Sequence, residues 1–259
     1  MYSLALWGGA ARWYVHIGIL KYLEEKNIKI SEIAWTSMWA IIASLVSAGY
    51  NWGEIYQIAK KVKILSLVDF DFKLGLLKWN KIENFLKDIF QDKKIENTQI
   101  PLKIVVTDII NNKSEIFTKG LIYEAIRASI SLPGVFAPKQ IWEKLYVDGG
   151  ILMNLPIEAL EGKDVIAISA LKISSWPIIK SKKILGFEFK SGFWQNNYEI
   201  IKRSVVDMMW VNEEKSLQTP GKNLKFLRPD FWQLDLMDFH KVDEFVEIGY
   251  KQAFKLNLK

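Results

Sequence analysis

The chain constrains itself most at Ser37, which lies between a short apolar run, Glu32 to Ala34, and the stretch Ala40-Ile41-Ile42-Ala43-Ser44-Leu45-Val46. The run reads as a strand and the stretch as a buried helix, so the serine stands at a strand-to-helix turn. Such a turn exposes the hydroxyl, and the helix N-terminus aims unpaired N–H groups at any negative charge that forms there. That arrangement favours acyl transfer. A serine before a helix is also a common cap, so the turn alone leaves both readings open.

Two further stretches add weight. Tyr2 to Leu6 reads as a strand, Trp7-Gly8-Gly9-Ala10-Ala11-Arg12 as a small-residue loop, and Tyr14 to Lys26 as a helix with Ile17, Leu20 and Leu23 on one face. A loop of this kind brings backbone N–H groups close to an anion, and a nucleotide phosphate would suit it as well as an oxyanion. Lys144-Leu145-Tyr146-Val147-Asp148-Gly149-Gly150 reads as a strand that ends in an acid with two glycines behind it. Three strand-end sites of these types in this order are far more specific than any one of them.

Together these residues resemble the bacterial patatin-like phospholipases. The likeness is carried by Leu4 to Tyr50, by Asp148-Gly149-Gly150, by Ala128-Ser129-Ile130-Ser131-Leu132-Pro133-Gly134-Val135-Phe136 and by Asn154-Leu155-Pro156. It covers residues 1–170 well and the remainder loosely. The resemblance implies that Ser37 is the nucleophile and Asp148 its general base. It further implies that Gly8, Gly9, Ala10, Ala11, Arg12 and Trp13 supply the oxyanion hole, with Trp35, Thr36, Met38, Trp39, Gly149 and Gly150 flanking the two motifs. The substrate class implied is a phospholipid or lysophospholipid, cleaved at a carboxylic ester, with no metal and no cofactor.

The chain departs from that family at glycines. The elbow is expected to read Gly-x-Ser-x-Gly, yet Trp35 and Trp39 occupy the flanking positions, and Trp7 and Trp13 also stand where glycine is expected. Indoles beside the nucleophile would crowd a tight turn. The sequence holds 11 Trp in 259 residues, several-fold above ordinary usage. Several others fall where turn chemistry asks for glycine, in Lys78-Trp79-Asn80, Ile141-Trp142-Glu143 and Ser175-Trp176-Pro177. One reading is that these positions are glycines encoded by UGA in a lineage that reads the codon as Gly, translated here as Trp. UGA is one base from the glycine codon GGA, and the richness in Lys, Ile and Asn suits an AT-rich genome. Glycine would then make up about a tenth of the chain, plausible for a loop-rich α/β enzyme. The other reading is a Trp-rich, catalytically impaired lipid-binding or regulatory protein.

The remaining pattern bounds the answer. Strands at Pro101 to Asp108, Ser114 to Thr118, Asp164 to Ser169 and Leu224 to Leu227 alternate with helices at Gly53 to Val62, Lys81 to Phe90, Leu121 to Ile130, Asn196 to Leu217 and Val242 to Phe254. This predicts an α/β fold, a three-layer α/β/α sandwich with a mainly parallel sheet, in a single domain over residues 1–259. Asp69 and Asp71 read as a solvated loop rather than a metal site, and Met208 and Met209 as core rather than a lipid pocket. Only two histidines exist, and His16 reads as structural while His240 lacks motif support. A Ser-Asp dyad is therefore the economical mechanism, and an ordinary α/β-hydrolase triad or a dinucleotide site is disfavoured. The absence of cysteine removes disulfides and a thiol nucleophile. With neither a signal segment nor a transmembrane run, the expectation is a cytoplasmic protein. The net charge of +6 is interleaved with acids, which argues against nucleic acid and allows a weak, salt-sensitive peripheral contact with membranes.

Overall fold

Strands whose side chains alternate between two apolar faces organise the molecule. The computed structural model describes residues 1–8, 10–37, 40–61, 69–71, 76–78, 80–133, 136–171, 181–184, 187–190, 193–231, 234 and 238–258. The strands are β1 (Tyr2–Gly8), β2 (Ile30–Thr36), β3 (Asp69–Asp71), β4 (Leu76–Lys78), β5 (Leu102–Asp108), β6 (Lys113–Phe117), β7 (Lys139–Ile141), β8 (Lys144–Asp148), β9 (Asp164–Ala170), β10 (Ser181–Ile184), β11 (Phe187–Lys190) and β12 (Asn223–Leu227). The helices are α1 (Tyr14–Glu25), α2 (Ala40–Ser47), α3 (Trp52–Lys61), α4 (Asn80–Phe90), α5 (Ile122–Ser129), α6 (Phe193–Ser216) and α7 (Val242–Ala253).

The main sheet runs β12-β9-β1-β2-β5-β8-β7, with β6 also on β5. It is parallel from β12 to β5 and antiparallel at β6, β7 and β8. Alternation along each strand sends side chains to both faces. Leu4, Leu6, Ile33, Ile104, Ile166 and Ile168 pack on one side with Ile17 and Leu20 of α1, Ile42 of α2 and Phe245 of α7. Ala5, Ala34, Val105, Val165 and Ala167 face the other way, toward Leu155 and Leu160 in the segment before β9 and Met209 of α6. This is the α/β/α layering that the alternation of strands and helices predicts.

On the first face α1 and α7 meet backbone to backbone. A Cβ on Gly18 would stand 1.9 Å from the Val246 carbonyl oxygen, and one on Gly249 would stand 1.9 Å from that of Val15. Only glycine permits this approach at either position.

Several boundaries differ from the sequence reading. β2 extends beyond Glu32 to Ala34 in both directions, because Ile30 pairs with Tyr2 while Trp35 and Thr36 pair with Ile104 and Val105. The sheet partner, not local composition, sets its length. β1 likewise continues through Trp7 and Gly8, which pair with Ser169 and Ala170. β7 has no counterpart in the sequence reading. It is three residues long and joins β8 through the two-residue turn Trp142-Glu143. Asp69 and Asp71 lie in β3, paired with β4. Residues 65–68, Phe72, Trp79 and the Ser175-Trp176-Pro177 turn lie outside the described residues.

Candidate active site

β2 delivers Ser37 to the carboxyl end of the parallel strands, the end at which such sheets place ligands. The residue adopts φ +71°, a left-handed conformation that a side chain disfavours. Neighbouring polar groups fix it there. Its N–H donates to Ser129 Oγ at 2.9 Å, and Ser129 Oγ donates in turn to the Val105 carbonyl at 2.7 Å. Thr36, wholly buried just before it, donates through Oγ1 to the Met153 carbonyl at 2.9 Å.

Asp148 reaches the same point from β8. Ser37 Oγ donates to Asp148 Oδ2 at 2.6 Å, and the Gly150 N–H donates to Oδ1 at 2.8 Å. The aspartate N–H donates to the Ser131 carbonyl at 3.0 Å, and its own carbonyl accepts from Thr107 Oγ1 at 3.1 Å. Gly149 is forced to be glycine, since a Cβ there would lie 2.4 Å from the Val105 carbonyl oxygen. Asp148 is 1% exposed, and burial raises the pKa of its carboxyl to about 6 against the opposing pull of the Ser37 hydroxyl and Gly150 N–H.

The small-residue loop leaves β1 at Gly8 and re-enters as a short 3-10 turn, Ala10–Trp13, that runs straight into α1. Ala11, Arg12 and Trp13 are buried, the Arg12 guanidinium lies 5.3 Å from the Phe231 ring centroid, and the Trp13 ring lies 4.2 Å from that of Tyr14. A cation held on an aromatic face inside the protein suits an orienting role better than a lipid contact. Gly8 lies against β9, where a Cβ would meet that of Ala170 at 2.5 Å. Gly9, Met38 and Trp39 lie outside the described residues.

The tryptophans fit unevenly. Trp35 is wholly buried and meets His16 edge-on at 5.3 Å, whereas the Trp7 indole nitrogen lies 3.5 Å from where a Cβ on Gly150 would stand, close to Asp148. Neither indole N–H finds an acceptor among the described residues, at a cost of about 1–3 kcal/mol each. Trp142 is 90% exposed at φ +55°, in the first position of a two-residue hairpin, where glycine is favoured. His16 is buried and its imidazole is pushed down to about 3 by burial, so it is neutral at ordinary pH. His240 is exposed.

Two supporting clusters were not legible in the sequence. Arg127, buried in α5, donates to Ser131 Oγ at 2.7 Å and to the Ala137 carbonyl at 3.2 Å, bracing the loop that leads to Asp148. Glu213, wholly buried in α6, accepts from Ser169 Oγ and from Arg228 Nη2, both at 2.5 Å, while Arg228 stacks 4.1 Å from the Trp210 ring centroid. A charged residue on an otherwise apolar helix face was the available signal for both.

The family described as patatin-like phospholipase matches residues 4–161, a span that holds the loop, the serine turn and the Asp-Gly-Gly stretch. The chain belongs to the patatin-like phospholipase family. Among its relatives, an uncharacterised NTE family protein of Mycobacterium bovis is 39% identical over 164 residues, 62% of this chain and 45% of that protein. Lysophospholipase NTE1 of Kluyveromyces lactis is 27% identical over 96% of this chain and 18% of its own length. This patatin-like chain therefore spans less than half the length of these curated relatives. VipD from Legionella pneumophila shares its fold, with a TM-score of 0.64 at 14% identity over 98% of this chain and 66% of that one. Among the described residues, no patatin-like helix is long and apolar enough to cross a membrane, and no group of three acids or histidines could hold a metal.

Proposed function

We propose that the chain is a serine lipid acyl hydrolase that cleaves carboxylic ester bonds of phospholipids or lysophospholipids through a Ser37-Asp148 dyad. The observation that carries this reading is the 2.6 Å hydrogen bond from Ser37 Oγ to a buried carboxylate with pKa about 6. Such a group is ionised at neutral pH yet basic enough to take a proton from an attacking hydroxyl.

Asp148 accepts the Ser37 proton as Oγ attacks the ester carbonyl. Backbone N–H groups of the loop from Gly8 to Trp13 hold the oxyanion. Collapse breaks the ester bond, the departing oxygen takes the proton from Asp148 to leave as the alcohol, and an acyl-serine remains. Water then attacks the acyl group and gives a proton to Asp148, and as the acyl–serine bond breaks Asp148 passes that proton to Ser37 Oγ and the fatty acid leaves. Lysophospholipid is the favoured substrate, since the yeast relatives carry the name lysophospholipase. Exposed Ile109 and Ile110, which follow β5 at its carboxyl end, together with the net charge of +6, support transient contact with a lipid surface.

The buried indoles of Trp7 and Trp35, whose N–H groups have no acceptor among the described residues, favour a second reading, a lipid-binding protein with impaired catalysis. The test is hydrolysis of a short-chain chromogenic ester and of a lysophospholipid by the chain as it stands and with glycine at all 11 Trp positions, each beside Ser37→Ala. Turnover that vanishes with Ser37 is the expected outcome. No Ser37-dependent turnover from either folded form would leave the lipid-binding reading. Codons of UGG at those positions would remove the recoded-glycine explanation.

A further inference from the structure

The end of α5 holds both members of the dyad by their backbones. Ser129, its last residue, is wholly buried and accepts the Ser37 N–H at 2.9 Å while donating to the Val105 carbonyl at 2.7 Å. Two residues later the Ser131 carbonyl accepts the Asp148 N–H at 3.0 Å. Ser131 is itself tied down, its hydroxyl donating to the Arg127 carbonyl at 2.9 Å and accepting from the Arg127 guanidinium.

The direction of the Ser129 bonds matters. A hydroxyl has one proton, and this one is committed to Val105, so a lone pair must face the Ser37 N–H. A serine in a helix usually turns its hydroxyl back to the carbonyl one turn earlier. Ser129 instead reaches out of its helix to join β5 to the turn after β2. Its partner Ser37 sits at φ +71°, a conformation that persists only where surrounding groups over-determine it.

We infer that Ser129 is a positioning residue for the acyl-transfer reaction, its hydroxyl pinning the backbone of Ser37 so that Oγ stays on Asp148. This rests on the dyad reading above. Loss of the hydroxyl frees the turn to relax toward ordinary φ, and Oγ then leaves Asp148. Misplacement of a reacting atom by about 1 Å costs on the order of 100-fold in rate.

The experiment measures ester turnover, its pH profile and labelling by a fluorophosphonate in the full chain, in whichever form labels, with 11 Trp or with glycine at those positions. The variants are Ser129→Ala, Ser129→Thr and Ser129→Val, the last two alike in shape and different in the hydroxyl. Ser47→Ala removes another buried hydroxyl, one with no partner among the described residues, and serves as control. Ser129→Ala and Ser129→Val should lower kcat by about 10- to 100-fold with KM within about two-fold, and slow labelling equally. Ser129→Thr should recover most of the rate. The acid limb of kcat/KM should move to higher pH in the hydroxyl-free variants, because the Ser37 hydroxyl that holds the Asp148 carboxyl down is no longer in place. Hydroxyl-free variants that fold and match Ser47→Ala in kcat and acid limb overturn the inference. So does failure of both to fold while Ser129→Thr folds, which would make the hydroxyl a requirement of the fold. Absence of labelling in both unsubstituted forms sinks the dyad reading itself, a result distinct from labelling that ignores Ser129.

Discussion

At the scale of single residues, two buried titratable groups pull stability in opposite directions. Asp148 has a folded pKa of about 6 against 3.8 for an ordinary aspartate, so the folded state holds the proton more tightly. Its contribution is present below about pH 4 and lost as pH rises to about 6, on the order of 3 kcal/mol. His16, pushed down to about 3 from 6.5, does the reverse: its stability is present above pH 6.5 and lost as pH falls toward 3. Asp148→Asn should therefore abolish turnover yet raise the melting temperature at pH 8 relative to the unsubstituted chain, by more than it does at pH 4. Thermal melts at the two pH values check this, and an equal shift at both would refute the buried-carboxylate account. In the parent protein kcat/KM should rise tenfold per pH unit below about pH 6 and level off above it.

Trp35 offers a second residue-scale test. A fully buried indole in a core built around it costs about 3–5 kcal/mol when removed. If the fold is built for glycine at this position, Trp35→Gly should cost under about 1 kcal/mol, since it also removes a buried N–H that has no acceptor among the described residues. Urea denaturation of the single variant separates the two cases. Trp142→Gly, at φ +55° and 90% exposed, has no packing to lose and should raise stability by up to about 1 kcal/mol, about 2–4 °C in Tm.

At the scale of elements, the contact between α1 and α7 is the least tolerant. Gly18→Ala would drive a methyl to 1.9 Å from a backbone oxygen, and neither helix can yield without disturbing the loop that opens α1. A loss of about 3 kcal/mol or more is expected, measured by denaturation, with ester hydrolysis falling before global unfolding. This contact could not be read from the sequence, in which Gly18 is one small residue within an apolar helix. β5 and α5, by contrast, were legible because Ile104-Val105-Val106 and the spacing from Leu121 to Ile130 carry the pattern within themselves. β7 was not, since three residues hold no period and exist as a strand only because β8 pairs with them. Ser37 and Asp148 announced themselves by their turn chemistry. Ser129 did not, because its meaning lies in a partner 92 residues away.

At the scale of the whole molecule, the sheet gathers its polar chemistry at one end. Ser37 follows β2, Asp148 ends β8, and the loop from Gly8 follows β1, all at that end. The opposite end is closed by a satisfied ionic knot. Glu32 accepts from the Glu161 and Gly162 N–H groups and from Ser3, and pairs with Lys103 at 2.8 Å. The layer order was predictable because alternating strands and helices admit few arrangements. The stagger of the helices was not, because it depends on which side chains are absent.

The meeting of Gly18 with α7 has a consequence for biosynthesis. The loop after β1 is made well before residues 242–253, and only those residues supply the helix it opens with its packing partner. A nascent chain would thus carry its serine turn and acid while the small-residue loop stayed unseated. The acyl transfer proposed above would then stay silent while this part of the chain is made, and would begin only once α7 docks on α1 and seats that loop.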